Sequence, residues 1–199
     1  MGQIKEQPVC LFDLDQTLCD YDQELRVRME ELRSPSEDPA VACVVPRDNA
    51  PAYLKRRANL IRLSEDWWAN LPRLQLGFDI WNLAGKLGFW RAILTQGPRG
   101  NPNAWSGKKK WIDKNLGPDT DITITRDKSR VYGKVLVDDW PEYVEGWLEH
   151  RPRGLVIMPA SSFNSEFTHP RVIRYDGTNI KKVEIAMTIT AGSPPTKTE

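Results

Sequence analysis

Short apolar runs that stop abruptly at polar residues recur along the chain, and stretches of helical periodicity separate them. Pro8 to Phe12 is apolar throughout and ends in Asp13-Leu14-Asp15, the pattern of a strand buried on both faces with carboxylates at its carboxyl end. Trp90 to Leu94 runs into Thr95-Gln96-Gly97-Pro98, and Val135 to Val137 into Asp138-Asp139. Ile122 to Thr125, Leu155 to Met158 and Val172 to Tyr175 read as further strands. Between them, Tyr21 to Arg33 places Leu25, Met29 and Leu32 at i, i+4 and i+7, an amphipathic helix with a charged outer face. A second helix carries Leu54, Ala58 and Ile61 on one face, with Lys55, Arg56, Arg57 and Arg62 around the remainder. Trp67-Trp68 and Leu71-Pro72 lead into a third, with Ile80, Leu83, Ala84 and Leu87 on one stripe and Gly88 as its carboxyl-terminal cap. Ser106 is expected to cap a helix through Lys108, Trp111 and Ile112 to Leu116, stopped by Gly117-Pro118. Pro141 to Glu149 and Ile180 to Met187 complete the helices, Ser34 to Pro51 is a proline-broken loop, and Ala191 to Glu199 is expected to be disordered. Strands alternating with helices predict an α/β fold, a parallel sheet covered on both faces.

Composition narrows the class without changing that picture. A chain of 199 residues has room for one domain, or one domain with a modest insertion. With 40% hydrophobic and 28% charged residues it matches ordinary globular domains rather than collagenous, disordered or membrane-spanning chains. The start, MGQIKEQPVCLFDLD, shows no cleavable signal, and a cytoplasmic location is expected. Three cysteines, Cys10, Cys19 and Cys43, form no CxxC pair, which argues against a disulfide framework or a zinc site. A formal net charge of +1 supplies no overall field to draw in a polynucleotide or an anionic membrane, so an anionic ligand must be bound locally.

In an open α/β sheet, ligands bind at the carboxyl ends of the strands, which predicts that Asp13, Asp15, Thr95, Asp138 and Asp139 converge on one crevice. Carboxylates packed there repel one another unless a divalent cation lies between them, and hard oxygen donors that also leave room for a phosphate oxygen suit Mg²⁺. Asp13 and Asp15 stand two apart, so on an extended strand both address one substrate. One serves as nucleophile on phosphorus, and the other as general acid to the leaving oxygen and base to the hydrolytic water. Thr95, a lysine and the metal are suited to the charge that develops on the phosphoryl oxygens.

FDLDQTL at Phe12 to Leu18, ILTQG at Ile93 to Gly97, a lysine upstream of Trp111, and VLVDD at Val135 to Asp139 resemble the four motifs of the haloacid dehalogenase superfamily of aspartyl-phosphate phosphatases. The order of Thr95, Lys108, Trp111, Gly117-Pro118, Thr125-Arg126-Asp127-Lys128 and Asp138-Asp139 is similar to that of the 5'(3')-deoxyribonucleotidases. The resemblance implies a three-layer Rossmann-like core over residues 1–18 and 75–190, with a small helical cap at 19–74. It implies Asp13 as nucleophile, Asp15 as acid and base, and Thr95 and Lys108 on the phosphoryl group. Mg²⁺ would be held by Asp13, the backbone carbonyl of Asp15, and Asp138; Arg126 would lie near the crevice. Gln16, Thr17 and Gln96 depart from the nucleotidase pattern beside the phosphate pocket, and so bear on the substrate more than on the mechanism.

Each candidate also has a plainer reading. Asp139 is taken to orient its neighbours through hydrogen bonds rather than to bind metal. Lys108 is preferred to Lys109 and Lys110 by its spacing to Trp111; without that spacing it would be one more solvated lysine. Of Trp67 and Trp68, one is assigned to packing and the other to stacking on a base. Arg56, Arg57 and Arg62 read as a solvated helix face, Cys10 as a small buried hydrophobe, and His150 and His169 as isolated. The expected activity is Mg²⁺-dependent hydrolysis of nucleoside monophosphates, with Gln96, Arg126, Trp67 and Trp68 binding substrate. The alternatives are a phosphatase for another small phosphoester or a nucleic-acid end, and a non-catalytic binding module. The expected partner is a small phosphate ester, with no membrane, a polynucleotide disfavoured and a homodimer left open.

Overall fold

The computed structural model describes residues 7–47 and 49–192. Six strands, β1 (Val9–Phe12), β2 (Trp90–Thr95), β3 (Ile122–Ile124), β4 (Val135–Val137), β5 (Leu155–Pro159) and β6 (Val172–Tyr175), form one sheet in the order β3-β2-β1-β4-β5-β6. Every pairing is parallel. The helices are α1 (Tyr21–Glu31), α2 (Pro39–Ala42), α3 (Ala52–Arg62), α4 (Glu65–Ala69), α5 (Gln75–Lys86), α6 (Pro102–Asn115), α7 (Pro141–Glu149) and α8 (Ile180–Ala191).

The central strands are short and continuously apolar because both of their faces are covered: β4 and β5 are buried at every position, and β1 at all but Val9. On one face Leu11, Leu136, Val156 and Met158 pack with Val144, Trp147 and Leu148 of α7. On the other, Phe12 meets Trp81 of α5 edge-on, with ring centroids 4.9 Å apart. Strand order reverses direction at β1, which is flanked by β2 and β4, and such a switch point opens a crevice at the strands' carboxyl ends. Asp13 and Asp138 follow the two strands that border it.

The helix boundaries show which local signals outweigh periodicity. The helix expected from Ser106 begins at Pro102 instead, because Asn101 caps it by accepting from Ala104 N at 3.3 Å and Pro102 supplies a preset first turn. Inside the proline-rich stretch, Asp38 caps the single turn of α2 by accepting from Ala40 N at 2.9 Å. Ser64 caps α4, which carries Trp67 and Trp68. Helix α8 runs past Met187 to Ala191 and closes on Gly192 in the left-handed region, at φ 81°. Of the tail expected to be disordered, residues 193–199 lie outside the described residues. Cys10, Cys19 and Cys43 form no disulfide.

The chain divides into two compact units. The sheet unit spans Met1–Leu18, Leu74–Gln96 and Asp121–Glu199; the helical unit spans Cys19–Arg73 and Gly97–Thr120. Helix α6 therefore groups with α1 to α4, where the partition read from the sequence leaves it with the sheet. Gly107 of α6 explains the grouping: a Cβ there would come within 2.4 Å of the Trp68 Cβ and 2.5 Å of the Glu65 carbonyl oxygen, so the two helices touch backbone to backbone.

A similar close approach sets the loop after β1. In the sheet unit Gly77 of α5 leaves no room for a methyl group, since an added Cβ would sit 1.8 Å from the Thr17 carbonyl oxygen and 3.2 Å from the Leu18 Cα, all rigid backbone. Gly77→Ala should therefore lower stability by about 1–3 kcal/mol, as overpacking does. Denaturant unfolding of variant and parent checks this, and equal midpoints would contradict it.

Candidate active site

At the end of β1 the ladder continues one residue further, because the Asp13 amide donates to the Val137 carbonyl at 2.9 Å. The carboxylate of Asp13 is thereby held at the mouth of the sheet, 7% exposed. The chain then turns sharply: the Thr17 and Leu18 amides both donate to the Leu14 carbonyl, and Gln16 takes a left-handed backbone at φ 54°. Such a conformation is strained for a residue with a Cβ and is tolerated where the surroundings demand it. Beyond β4, Asp138 is fully buried and Asp139 almost so.

A buried lysine ties the two strand ends together. Lys128, from the 3-10 turn Lys128–Arg130 after β3, places Nζ 2.9 Å from Asp13 Oδ1 and 2.6 Å from Asp138 Oδ2. Asp138 Oδ1 accepts from the Trp140 amide at 3.0 Å. Asp139 Oδ1 accepts from the Thr17 hydroxyl at 3.1 Å, which links the two acidic loops directly. Buried Asn164 donates to the carbonyls of Asp139 (3.1 Å) and Pro159 (2.9 Å), fixing the backbone under the second loop. The Lys128 ammonium also lies 4.7 Å from the ring centroid of Tyr143, whose hydroxyl donates to Gln96 Oε1 at 2.9 Å. The lysine's turn is held from below, with Trp147 Nε1 donating to the Val131 carbonyl at 3.1 Å and Arg151 Nη1 to the Ser129 carbonyl at 2.8 Å.

Carboxylates are crowded inside this cluster. Asp13, Asp138 and Asp139 each bring a carboxylate oxygen within 4.8 Å of the others, and Lys128 sets its ammonium against two of them. At an effective dielectric of about 20, like charges that close repel by roughly 3 kcal/mol per pair. Burial pushes the Asp138 carboxyl up to about 6, with Lys128 pulling the other way and Asp13 adding to the rise. Burial and the neighbouring Asp138 and Asp13 also hold the Asp139 carboxyl well above the usual range. For Lys128, burial favours the neutral amine, but the Asp13 and Asp138 carboxylates prevail and keep it charged above its ordinary value. Three buried hard oxygen donors crowded together are what a small divalent cation requires, so the residues fit such an ion.

Among the residues anticipated from sequence, the structure gathers Asp13, Asp138, Asp139 and Gln96 around Lys128 and Tyr143. Thr95 is buried at the end of β2, where its carbonyl accepts from the Thr125 amide at 3.0 Å. Asp15, half-buried, stands past the end of β1 and just ahead of the turn at residues 16–18; the third carboxylate of the cluster is Asp139. Arg126 is exposed, and its charge acts on Tyr143. Lys108, Trp67 and Trp68 belong to the helical unit. There Lys108 is buried with its ammonium 5.3 Å from the Trp68 ring centroid, and Trp68 Nε1 donates to the Arg62 carbonyl at 2.8 Å. Trp67 stacks edge-on against both Trp68 and Tyr21.

Lys128, which sequence reasoning quoted within Thr125-Arg126-Asp127-Lys128 but gave no task, brings an ammonium to Asp13. Its one sequence signal was position, a lysine in a turn following a strand and ten residues ahead of Asp138. Tyr143 carried none, since it reads as an ordinary helix residue.

Two outcomes follow from this crowding. Lys128→Met strands the carboxylates without their cation and should cost about 3–5 kcal/mol of stability in metal-free buffer, recovered in part by a divalent ion. Thermal melts with chelator and with MgCl2 check both parts, and an unchanged melting temperature would contradict them. The second concerns pH. Because Asp138 binds its proton more tightly folded than unfolded, it stabilises the fold below pH 4, and that contribution is lost as pH rises through about 6. Asp138→Asn should flatten this fall in the metal-free protein, as read from unfolding free energies between pH 4 and 7.5; an identical slope in both proteins would contradict it.

Comparison with known proteins agrees on architecture. No protein-family model matches the chain, and no curated protein matches it in sequence. Solved structures do. A haloacid dehalogenase-like hydrolase from Burkholderia xenovorans superposes with a TM-score of 0.53 at 15% identity, covering 91% of this chain and 98% of its own. A HAD family hydrolase from Deinococcus radiodurans, solved with bound phosphate and sodium, gives 0.53 at 12% identity over 95% and 98%. The HAD hydrolase YfnB from Bacillus subtilis, bound to magnesium, gives 0.50 at 14% identity over 85% and 95%. Similarity at such low identity speaks to the fold, and the parallel sheet with its flanking helices is the fold of the haloacid dehalogenase-like hydrolases.

Proposed function

We propose that this protein is a Mg²⁺-dependent phosphomonoesterase that takes nucleoside monophosphates, deoxyribonucleotides among them, through a phosphoryl group carried on Asp13. The observation that supports the reading most is the buried trio Asp13, Asp138 and Asp139 bridged by Lys128 at the switch point of the sheet. Asp13, Asp138 and Asp139 would hold the ion, which would supply countercharge to the phosphoryl oxygens.

The protein's own groups divide the remaining work. Lys128 aims Asp13 through its 2.9 Å contact, and its positive charge lies where phosphoryl negative charge would gather. Asp13 attacks phosphorus, forming the acyl-phosphate bond as the ester P–O bond breaks. Asp15 gives its proton to the departing alkoxide. It then takes a proton from the water that attacks phosphorus, which releases phosphate and restores the Asp13 carboxylate. Thr17, bonded to Asp139, keeps the turn that follows Asp15 in register with the acidic loop after β4. Tyr143 holds Gln96 at the edge of the same cluster, where it can contact the ester rather than the ion. The nucleotide preference comes from the resemblance of the stretch Thr95 to Asp139, and cytoplasmic location and any self-association go with that reading.

The test is phosphate release by the full chain with MgCl2 from 5'- and 3'-monophosphates of ribo- and deoxyribonucleosides, from an unrelated phosphomonoester and from a 5'-phosphorylated oligonucleotide. Mononucleotides should turn over fastest, chelator should stop the reaction, and Asp13→Asn should slow it about a thousandfold, roughly 4 kcal/mol of barrier. A folded protein inert on all of these, or indifferent to Asp13→Asn, would refute phosphatase activity. Preference for the oligonucleotide or the unrelated ester would refute the substrate assignment alone.

A further inference from the structure

The other end of the same sheet carries chemistry that hydrolysis does not use. A cavity of about 640 Å³ opens there, between the starts of β4 and β5. Its lining includes Lys134, His150, Arg151 and Arg153, with Tyr132 and Ile189 at its side and no carboxylate. Lys134 immediately precedes β4, and Gly154 immediately precedes β5, so the cavity sits at the amino-terminal ends of the strands. Four residues of extended chain, about 13 Å, separate Lys134 from Asp138.

We propose that this cavity is a second ligand site, for a phosphate-bearing molecule with a flat ring, such as a nucleoside polyphosphate. Four features argue for it, and none depends on the reading of the acidic cluster. First, in a chain whose net charge is only +1, basic groups are concentrated on one concave surface. Second, three of those groups are uncommitted: among the described residues Lys134, His150 and Arg153 make no side-chain hydrogen bond or ion pair, and Arg151, whose Nη1 bonds the Ser129 carbonyl, keeps a buried Nε without an acceptor. A guanidinium with a spare N–H is suited to phosphate, which it can grip through paired donors. Third, Tyr132 is 67% exposed at the rim, an uncovered aromatic face of the kind on which a base stacks. Fourth, two carbonyls at and just past the end of α7, those of Leu148 and Arg151, which would otherwise repel an anion, accept from Arg171.

The site also has a mechanical link to the acidic cluster. Arg151 Nη1 holds the Ser129 carbonyl, one residue from Lys128. A ligand that recruits the Arg151 guanidinium competes with that hydrogen bond and so bears on the turn that aims Lys128.

Calorimetric titration of the full chain in chelator with ATP, pyrophosphate and inorganic phosphate tests the proposal, using Lys134→Glu, Arg153→Glu, Tyr132→Ala and Asp13→Asn. Circular dichroism melts confirm that each variant folds. ATP should bind the parent chain and Asp13→Asn alike, and the two charge reversals should each weaken it about tenfold, some 1.4 kcal/mol. Tyr132→Ala should weaken ATP while sparing pyrophosphate. Phosphate hydrolysis, where present, should persist in Lys134→Glu. Absence of ATP binding, binding untouched by both reversals, or binding abolished by Asp13→Asn would overturn the proposal. Tyr132→Ala without effect on ATP would overturn the assignment of a ring.

Discussion

The structure turns on one electrostatic contact, the buried Lys128 ammonium shared between the carboxylates at the ends of two neighbouring strands. Lys128 makes Asp13 and Asp138 tolerable in the interior, yet it cannot also neutralise Asp139, whose oxygen lies in the same small volume. Breaking a buried pair is costly because it strands a charge. Crowding three buried carboxyls into one small volume is a poor arrangement for stability alone and, on the proposed function, a useful one for holding a cation.

The surrounding architecture serves this contact. Short parallel strands bring their carboxyl ends level, and the strand order reverses at β1, the position where such sheets bind ligands. Gly77 lets α5 press against the loop after β1, and Thr17 ties that loop to Asp139. The left-handed Gln16 is the cost of so tight a turn. Trp147 and Arg151 anchor the lysine's turn on the side away from the acids, so groups on the cavity side of the sheet help place a group in the acidic cluster.

How far sequence carried depended on whether a signal was local. All six strands are legible to within about a residue, because uninterrupted apolar runs such as Val135 to Val137 have few other readings in an alternating chain. The acidic tips were legible for the same reason. The cap of α6 shows the opposite case: Ser106 has the residue type of a cap, but Asn101 with Pro102 behind it supplies the one the helix uses. Lys128 was not legible as a partner of Asp13, because its segment is polar and resembles a solvated turn; only the fold of the chain around β3 buries it. Asp139 illustrates the same limit. Its hydrogen bond to Thr17 was foreseeable in kind, but its membership of the carboxylate cluster depends on distances that spacing does not supply. Likewise the packing of α6 on α4 through Gly107 joins segments some forty residues apart and leaves no periodic trace.

The most direct measurement of the central claim is to locate a divalent ion crystallographically. Crystals of the full chain grown with MnCl2 and recorded at the manganese absorption edge should show one strong anomalous peak among Asp13, Asp138 and Asp139, and Asp138→Asn should weaken or remove it. Manganese bound elsewhere, with that position vacant, would contradict the account.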